Sequence, residues 1–265
     1  MAMESPAVEL IKILIKMEEA GVPLDDFGNA LMELSMLDRF SGIDILSISQ
    51  SNSRSAYGLH GIDHTVRVVF WVLYLVEISN RQGYGIREED ALAAMYAALI
   101  HDLSRKDDYP GGQHGKDAAR DYRHLLETRL STEQLERCLT AVAWHGFSEE
   151  PGMREPVWML LKDADALDRA RFAHPGMGED GCDPSRLRLP VLKENTPILS
   201  GCLDVSVVLT SLLIVLTSHS GVFHHAVANF IKMLKDSLDG QPEQIQQAAH
   251  LITDRFNSIE ALNQG

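Results

Sequence analysis

Residues 91–102 read ALAAMYAALIHD. No charged residue interrupts the run from Ala91 to Ile100. A stretch that is apolar nearly all round reads as a helix buried on every side, not one with a single apolar stripe. His101 and Asp102 stand at its end, where titratable side chains are costly unless something pairs them. Imidazole and carboxylate are also the side chains that hold divalent metals without redox-labile thiolates. The doublet points to a metal site inside a helical protein.

Working outward, further residues of the same chemistry stand at the edges of apolar runs. HGIDHTVRVVF (residues 60–70) places His64 at the opening of a predicted helix. After the linker KDDYPGGQ, His114 starts another, and His145 ends a third just before GFSEEPG. Asp165 lies in LLKDADALDRARF, where Leu160, Leu161, Ala164 and Leu167 form an apolar face. The order along the chain is H…HD…H…H…D. Helix ends that each deliver one or two ligands to a common centre are a known way for bundles to build metal sites. Two positions have rivals: His60 lies four residues before His64, and Asp163 and Asp168 flank Asp165. At about 100° per residue, Asp163 and Asp165 point about 200° apart, whereas Asp165 and Asp168 are nearer in direction.

Helical periodicity runs through the rest of the chain. Helices are predicted over 6–20, 31–37, 64–80, 87–103, 114–129, 131–144, 156–172, 203–218, 222–238 and 242–262. Ser131-Thr132-Glu133-Gln134 has the form of a capping box. Residues 173–200, with PGMGEDGCDP, read as a long loop or lid. No strand alternation, repeat or low-complexity segment is visible, so the expected fold class is all-α. The 265 residues are expected to form one helical domain, with a motif core at about 57–175 and a C-terminal helical extension at about 201–265.

The net charge of −14 and pI of about 5.2 argue against binding to duplex nucleic acid or anionic membrane. Three widely spaced cysteines without a CxxC pair favour a reducing compartment and exclude a cysteine zinc site. The most apolar segment, 205–217, is shorter than the ~20 residues of a membrane span. No basic-then-apolar leader opens the sequence, so a soluble, cytoplasmic protein is expected.

His64 in HTVRV, His101-Asp102 in ALIHD and Asp165 in DADALD together resemble the signature of the HD-domain superfamily of metal-dependent phosphohydrolases, over roughly residues 60–172. The resemblance implies an all-α bundle with additional N- and C-terminal helices. It implies a first metal held by His64, His101, Asp102 and Asp165. His114 and His145 fit the subset in which a second metal is bound and the HD aspartate bridges the two. The implied cofactor is one or two divalent ions, with Mn, Fe, Mg, Zn and Ni all admissible. HDLSR stands where some relatives have HDxGK, and the GYP tripeptide, the ED motif and HD-x-G-H are missing. Cyclic-di-GMP, guanosine-tetraphosphate and dNTP hydrolysis are correspondingly disfavoured.

The implied activity is hydrolysis of a phosphate monoester or phosphodiester of a small, nucleotide-like substrate by a metal-activated water. Asp102, Lys106 and Arg169 are the expected catalytic residues; His60, Arg67, Lys106 and Arg169 are expected to bind substrate, since a phosphoryl group needs cationic donors. Asp107 and Asp108 are candidates for the general acid. Two other classes share this ligand pattern: di-iron oxygenases, and metal-bound modules that sense or bind without catalysis.

Overall fold

The computed structural model describes residues 6–41, 60–106, 111–147, 154–172, 181–217 and 231–263. Every regular element among them is helical, and no strand occurs among the described residues. The chain order is α1 (Pro6–Glu19), α2 (Leu24–Ser41), α3 (Ile62–Arg81), α4 (Glu88–Ile100), α5 (Gln113–Asp121), α6 (Arg123–Leu126), α7 (Thr132–Trp144) and α8 (Pro156–Asp168). A 3-10 turn, Arg169–Phe172, follows, then a second, Pro184–Arg186, α9 (Pro190–Lys193), α10 (Thr196–Thr217) and α11 (Glu243–Asn263). The fold class is all-α.

Two helices form the centre. In α4 the buried run from Ala93 to Ile100 is unbroken, as its composition requires. In α3 the residues from Val68 to Leu75 are all buried. These two helices pack on each other, and α8 packs against both. The end of α7 is held to α4 and α8, and α5 lies on α7. On the other side of α3, α2 joins an aromatic cluster in which Phe27 meets Phe70 and Tyr74 edge to face. α1 packs on α10, and α11 covers α2. Gly201 of α10 lets α1 approach: a Cβ there would stand 2.3 Å from Met17 Cγ.

The structure moves some boundaries. α2 begins at Leu24, seven residues before the predicted 31–37. Its first turns carry Asp25, Asp26 and Gly28 and look polar in isolation. Asp26 is nonetheless buried, and Arg81 of α3 donates Nε to both of its carboxylate oxygens at 2.7 and 2.9 Å. The segment 87–103 is shorter as a helix, ending at Ile100, and 114–129 divides into α5 and α6.

Residues 181–200 are not a plain loop: they hold a 3-10 turn, α9 and the first turn of α10. The amide of Ile198 donates to Asn195 Oδ1 at 3.2 Å, so Asn-Thr-Pro is a helix start. The lid reading for 173–180, like Asp107 and Asp108, falls outside the described residues. The capping box is formed, with Gln134 N–H donating to Ser131 Oγ at 3.3 Å and Ser131 N–H to Gln134 Oε1 at 2.9 Å. No helix among the described residues is long and apolar enough to cross a membrane.

Candidate metal centre

Five helix ends converge on one point. His64 sits in the first turn of α3 and His114 in the first turn of α5. His101 and Asp102 follow the last residue of α4, His145 follows α7, and Asp165 and Asp168 lie in the last turn of α8. Three of these ends are C-terminal, and their unpaired carbonyls present partial negative charge that favours a cation.

Asp102 is the hub, and its two oxygens face different partners. Oδ2 is 3.5 Å from His64 Nε2, 3.6 Å from His101 Nε2 and 2.8 Å from His60 Nδ1. Oδ1 is 3.1 Å from His114 Nε2 and 3.2 Å from His145 Nε2. On the first side, His64 Nε2 is also 3.2 Å from His101 Nε2 and 3.4 Å from Asp165 Oδ1. On the second, His114 Nε2 is 3.0 Å from His145 Nε2.

Three of these imidazoles have a fixed tautomer. His101 Nδ1 donates to the Ala98 carbonyl at 2.8 Å, and His145 Nδ1 to the Val142 carbonyl at 2.7 Å. His64 Nδ1 donates to Asp168 Oδ2 at 2.7 Å. A carbonyl or carboxylate oxygen only accepts, so Nδ1 carries a proton in each ring and Nε2, turned inward, is the atom left to bind a cation. Bare nitrogens and carboxylate oxygens about 3.0–3.6 Å apart repel unless a positive charge lies between them. Imidazole held through its other nitrogen by a carboxylate or carbonyl is how proteins present this side chain to metals. The residues fit a divalent cation.

The electrostatics agree. Burial pushes the His101 pKa down to about 4 despite Asp102 beside it, so the ring stays neutral. Burial opposes ionisation of Asp102, but His101, His114, His145 and His60 outweigh it and hold the carboxyl well below its usual range. Asp165 is held below its usual range in the same way, by His64 and His101 against burial. For His145, burial is outweighed by Asp102, which raises it. The centre keeps its carboxylates charged.

Packing explains how these ends meet. A Cβ on Gly115 would stand 2.4 Å from the Val142 carbonyl oxygen and 2.9 Å from His145 Nδ1, so only glycine lets α5 close on the end of α7. Lys162 of α8 donates Nζ to the carbonyls of His145 and Phe147 at 2.6 and 3.0 Å, satisfying the exposed end of α7 beneath His145. Neither Gly115 nor Lys162 is marked by side-chain chemistry in the sequence; the HG doublet at 114–115 is the one visible sign.

The other expected site residues distribute as follows. Asp168 is fully buried behind His64 and accepts from Arg67 Nε at 2.5 Å and its second amino group at 3.3 Å. Arg67, expected at substrate, is thus an interior residue holding Asp168. Asp163 faces away from the centre, accepting the amides of Arg188 and Leu189 at 2.8 and 2.7 Å. Lys106 and Arg169 are exposed; the charge of Lys106 acts on Asp121 and that of Arg169 on the Cys182 thiol. Arg105, next to Lys106 but not among the residues expected at the site, has Nη1 3.2 Å from His114 Nε2 and 3.7 Å from Asp102 Oδ1. His60, Arg105 and Asp165 have side chains 23%, 15% and 27% exposed, and they form the wet edge of the centre.

The model of the HD-domain family matches residues 61–170, the span from the start of α3 to the turn after α8. Neither the search of curated proteins nor that of solved structures returned a match. The ordered ligand pattern, the helical fold and the convergent His/Asp cluster agree with that match. Residues 61–170, somewhat under half of the chain, match the HD domain.

Proposed function

We propose that this protein is a metal-dependent phosphohydrolase that cleaves a phosphate monoester or phosphodiester of a small, nucleotide-like substrate. The observation that carries the reading is the division of Asp102: one oxygen faces His64 and His101, the other His114 and His145. His64, His101, Asp102 and Asp165 would hold one ion, and Asp102, His114 and His145 a second. Bound there, divalent metal supplies a low-pKa water as nucleophile and polarises the phosphoryl oxygen.

The chain's own residues do the rest. Asp168 fixes the His64 ring, and the Ala98 and Val142 carbonyls fix His101 and His145, so the ligands do not reorganise on binding. Arg105, at the open edge beside His114 and Asp102, is placed to donate to phosphoryl oxygens. Lys106 and Arg169, both exposed, attract an anionic substrate to a surface that is otherwise net acidic. The three cysteines are unpaired, which supports a reducing compartment such as the cytoplasm.

The same divided carboxylate suits a di-iron centre that activates O₂, which is the second reading. The test is to load the protein separately with Mn²⁺, Fe²⁺, Zn²⁺, Ni²⁺ and Mg²⁺ and assay hydrolysis of phosphate monoesters and nucleotide phosphodiesters. Hydrolysis that disappears in Asp102→Ala is expected. O₂ consumption by the iron form, with no hydrolysis by any form, would overturn the phosphohydrolase reading in favour of the second.

A further inference from the structure

The six-residue ligand pattern leaves out a donor that stands inside it. His60 lies in the turn before α3, its Nδ1 2.8 Å from Asp102 Oδ2. That is the oxygen faced by His64 Nε2 and His101 Nε2. Donor atoms of His60, His64 and Asp102 all lie within 4.8 Å of one another, and so do those of His64, His101 and Asp165. The two trios share His64. Donors bound about 2.0–2.2 Å from one ion stand about 3–4.4 Å apart, so each trio has the spacing of donors on one ion, and Asp102 Oδ2, 3.6 Å from His101 Nε2, joins them. The His60 and His64 rings meet edge to face, with centroids 5.2 Å apart, so both can turn a nitrogen to the same point.

We propose that His60 is a fifth protein ligand, through Nδ1, of the ion held by His64, His101, Asp102 and Asp165. This rests on the metal-centre reading above. A third imidazole shifts the donor set towards nitrogen and favours late first-row ions such as Zn²⁺, Ni²⁺ and Co²⁺ over Mg²⁺. His60 is also the ligand easiest to exchange, because it stands on a turn at the wet edge, whereas His64 and His101 are fixed within the core.

The test uses the full chain and Co²⁺ alone, with binding followed by the cobalt ligand-field absorption and by calorimetry. His60→Ala and His60→Asn are compared with wild type, with circular dichroism confirming that each is folded. The expected result in either folded variant is a Co²⁺ affinity at one site lower by about tenfold or more, with the absorption band moved to lower energy as water replaces nitrogen. A variant with unchanged affinity and spectrum overturns the proposal, including when KM for a phosphate substrate rises, which would make His60 a substrate contact. If wild type binds no Co²⁺, the metal-centre reading and the proposal fall together; if wild type binds and the variants match it, only the role of His60 falls.

Discussion

α4 carries a buried carboxylate near each end, and the two are neutralised in opposite ways. Asp90, in the first turn, receives Arg87 Nε and Nη2 at 2.8 and 2.9 Å and Arg137 Nη1 at 2.5 Å. Burial opposes its ionisation, but the two guanidiniums bring its pKa below the usual value. Asp102, after the last turn, is ringed instead by imidazoles, three of which have their proton committed elsewhere. At one end the protein supplies its own cations. At the other it supplies imidazole donors, with a single guanidinium, Arg105, 3.7 Å away at the open edge. A buried acid with fixed cations marks structure; one with imidazole nitrogens around it marks a binding site.

The largest effect is expected at the Asp102 end. Asp102→Ala or His101→Ala should strip bound metal and lower turnover by orders of magnitude while far-ultraviolet circular dichroism stays helical. Metal added at a hundred times its Kd should stabilise wild type by about 2.7 kcal/mol and raise its Tm, with no such rise in Asp102→Ala. Full metal content in either variant, measured by elemental analysis, would break the contrast. Asp165→Asn should also remove activity by orders of magnitude.

Asp168→Asn is expected to weaken metal binding about 10–100-fold, less than loss of Asp165, because it loosens the His64 ring without removing a ligand. It should also lower Tm, since Arg67 would keep a buried charge with a weakened partner. Equal losses in the Asp165 and Asp168 variants would mean that both contact the ion.

At the other end, Asp90→Ala should cost about 1–3 kcal/mol of stability, seen in denaturant unfolding, with metal stoichiometry unchanged. The cost stays moderate because Arg87, whose side chain is 54% exposed, regains water when its partner is lost. A change in metal content here would deny that the two ends are independent.

Asp163→Asn should have the smallest effect on turnover. Its role is to hold the 187–192 segment through the Arg188 and Leu189 amides, so a drop in Tm of a few degrees with full metal content is expected. Loss of metal on this substitution would place Asp163 rather than Asp165 at the ion.

Much of the fold was legible because helix identity is written in local periodicity. ALAAMYAALI could only be a core helix, and Ser131 to Gln134 announced its own cap. What was illegible depended on partners far away in the chain. The first turns of α2 look polar until Arg81 arrives to meet Asp26, 55 residues later. Asn195 and Pro197 read as loop because nothing local shows that α10 will pack on α1 behind them. Arg105 and Lys106 are adjacent and equally basic, and only the turn after α4 aims the first of them towards His114.

By itself, the sequence determined an all-helical chain and the chemical kind of its centre, since histidines and aspartates at helix ends in the order H…HD…H…H…D are few and specific. Tertiary structure decided what each of them does. Asp163, Asp165 and Asp168 share one short motif, yet one anchors a neighbouring segment, one faces the centre and one orients His64. Arg67 became an interior partner of Asp168, and His60 came to rest against Asp102 Oδ2. The reason is directional: residue type and spacing fix which donors a helix carries, but which way each points is settled only when five helix ends are packed against one another.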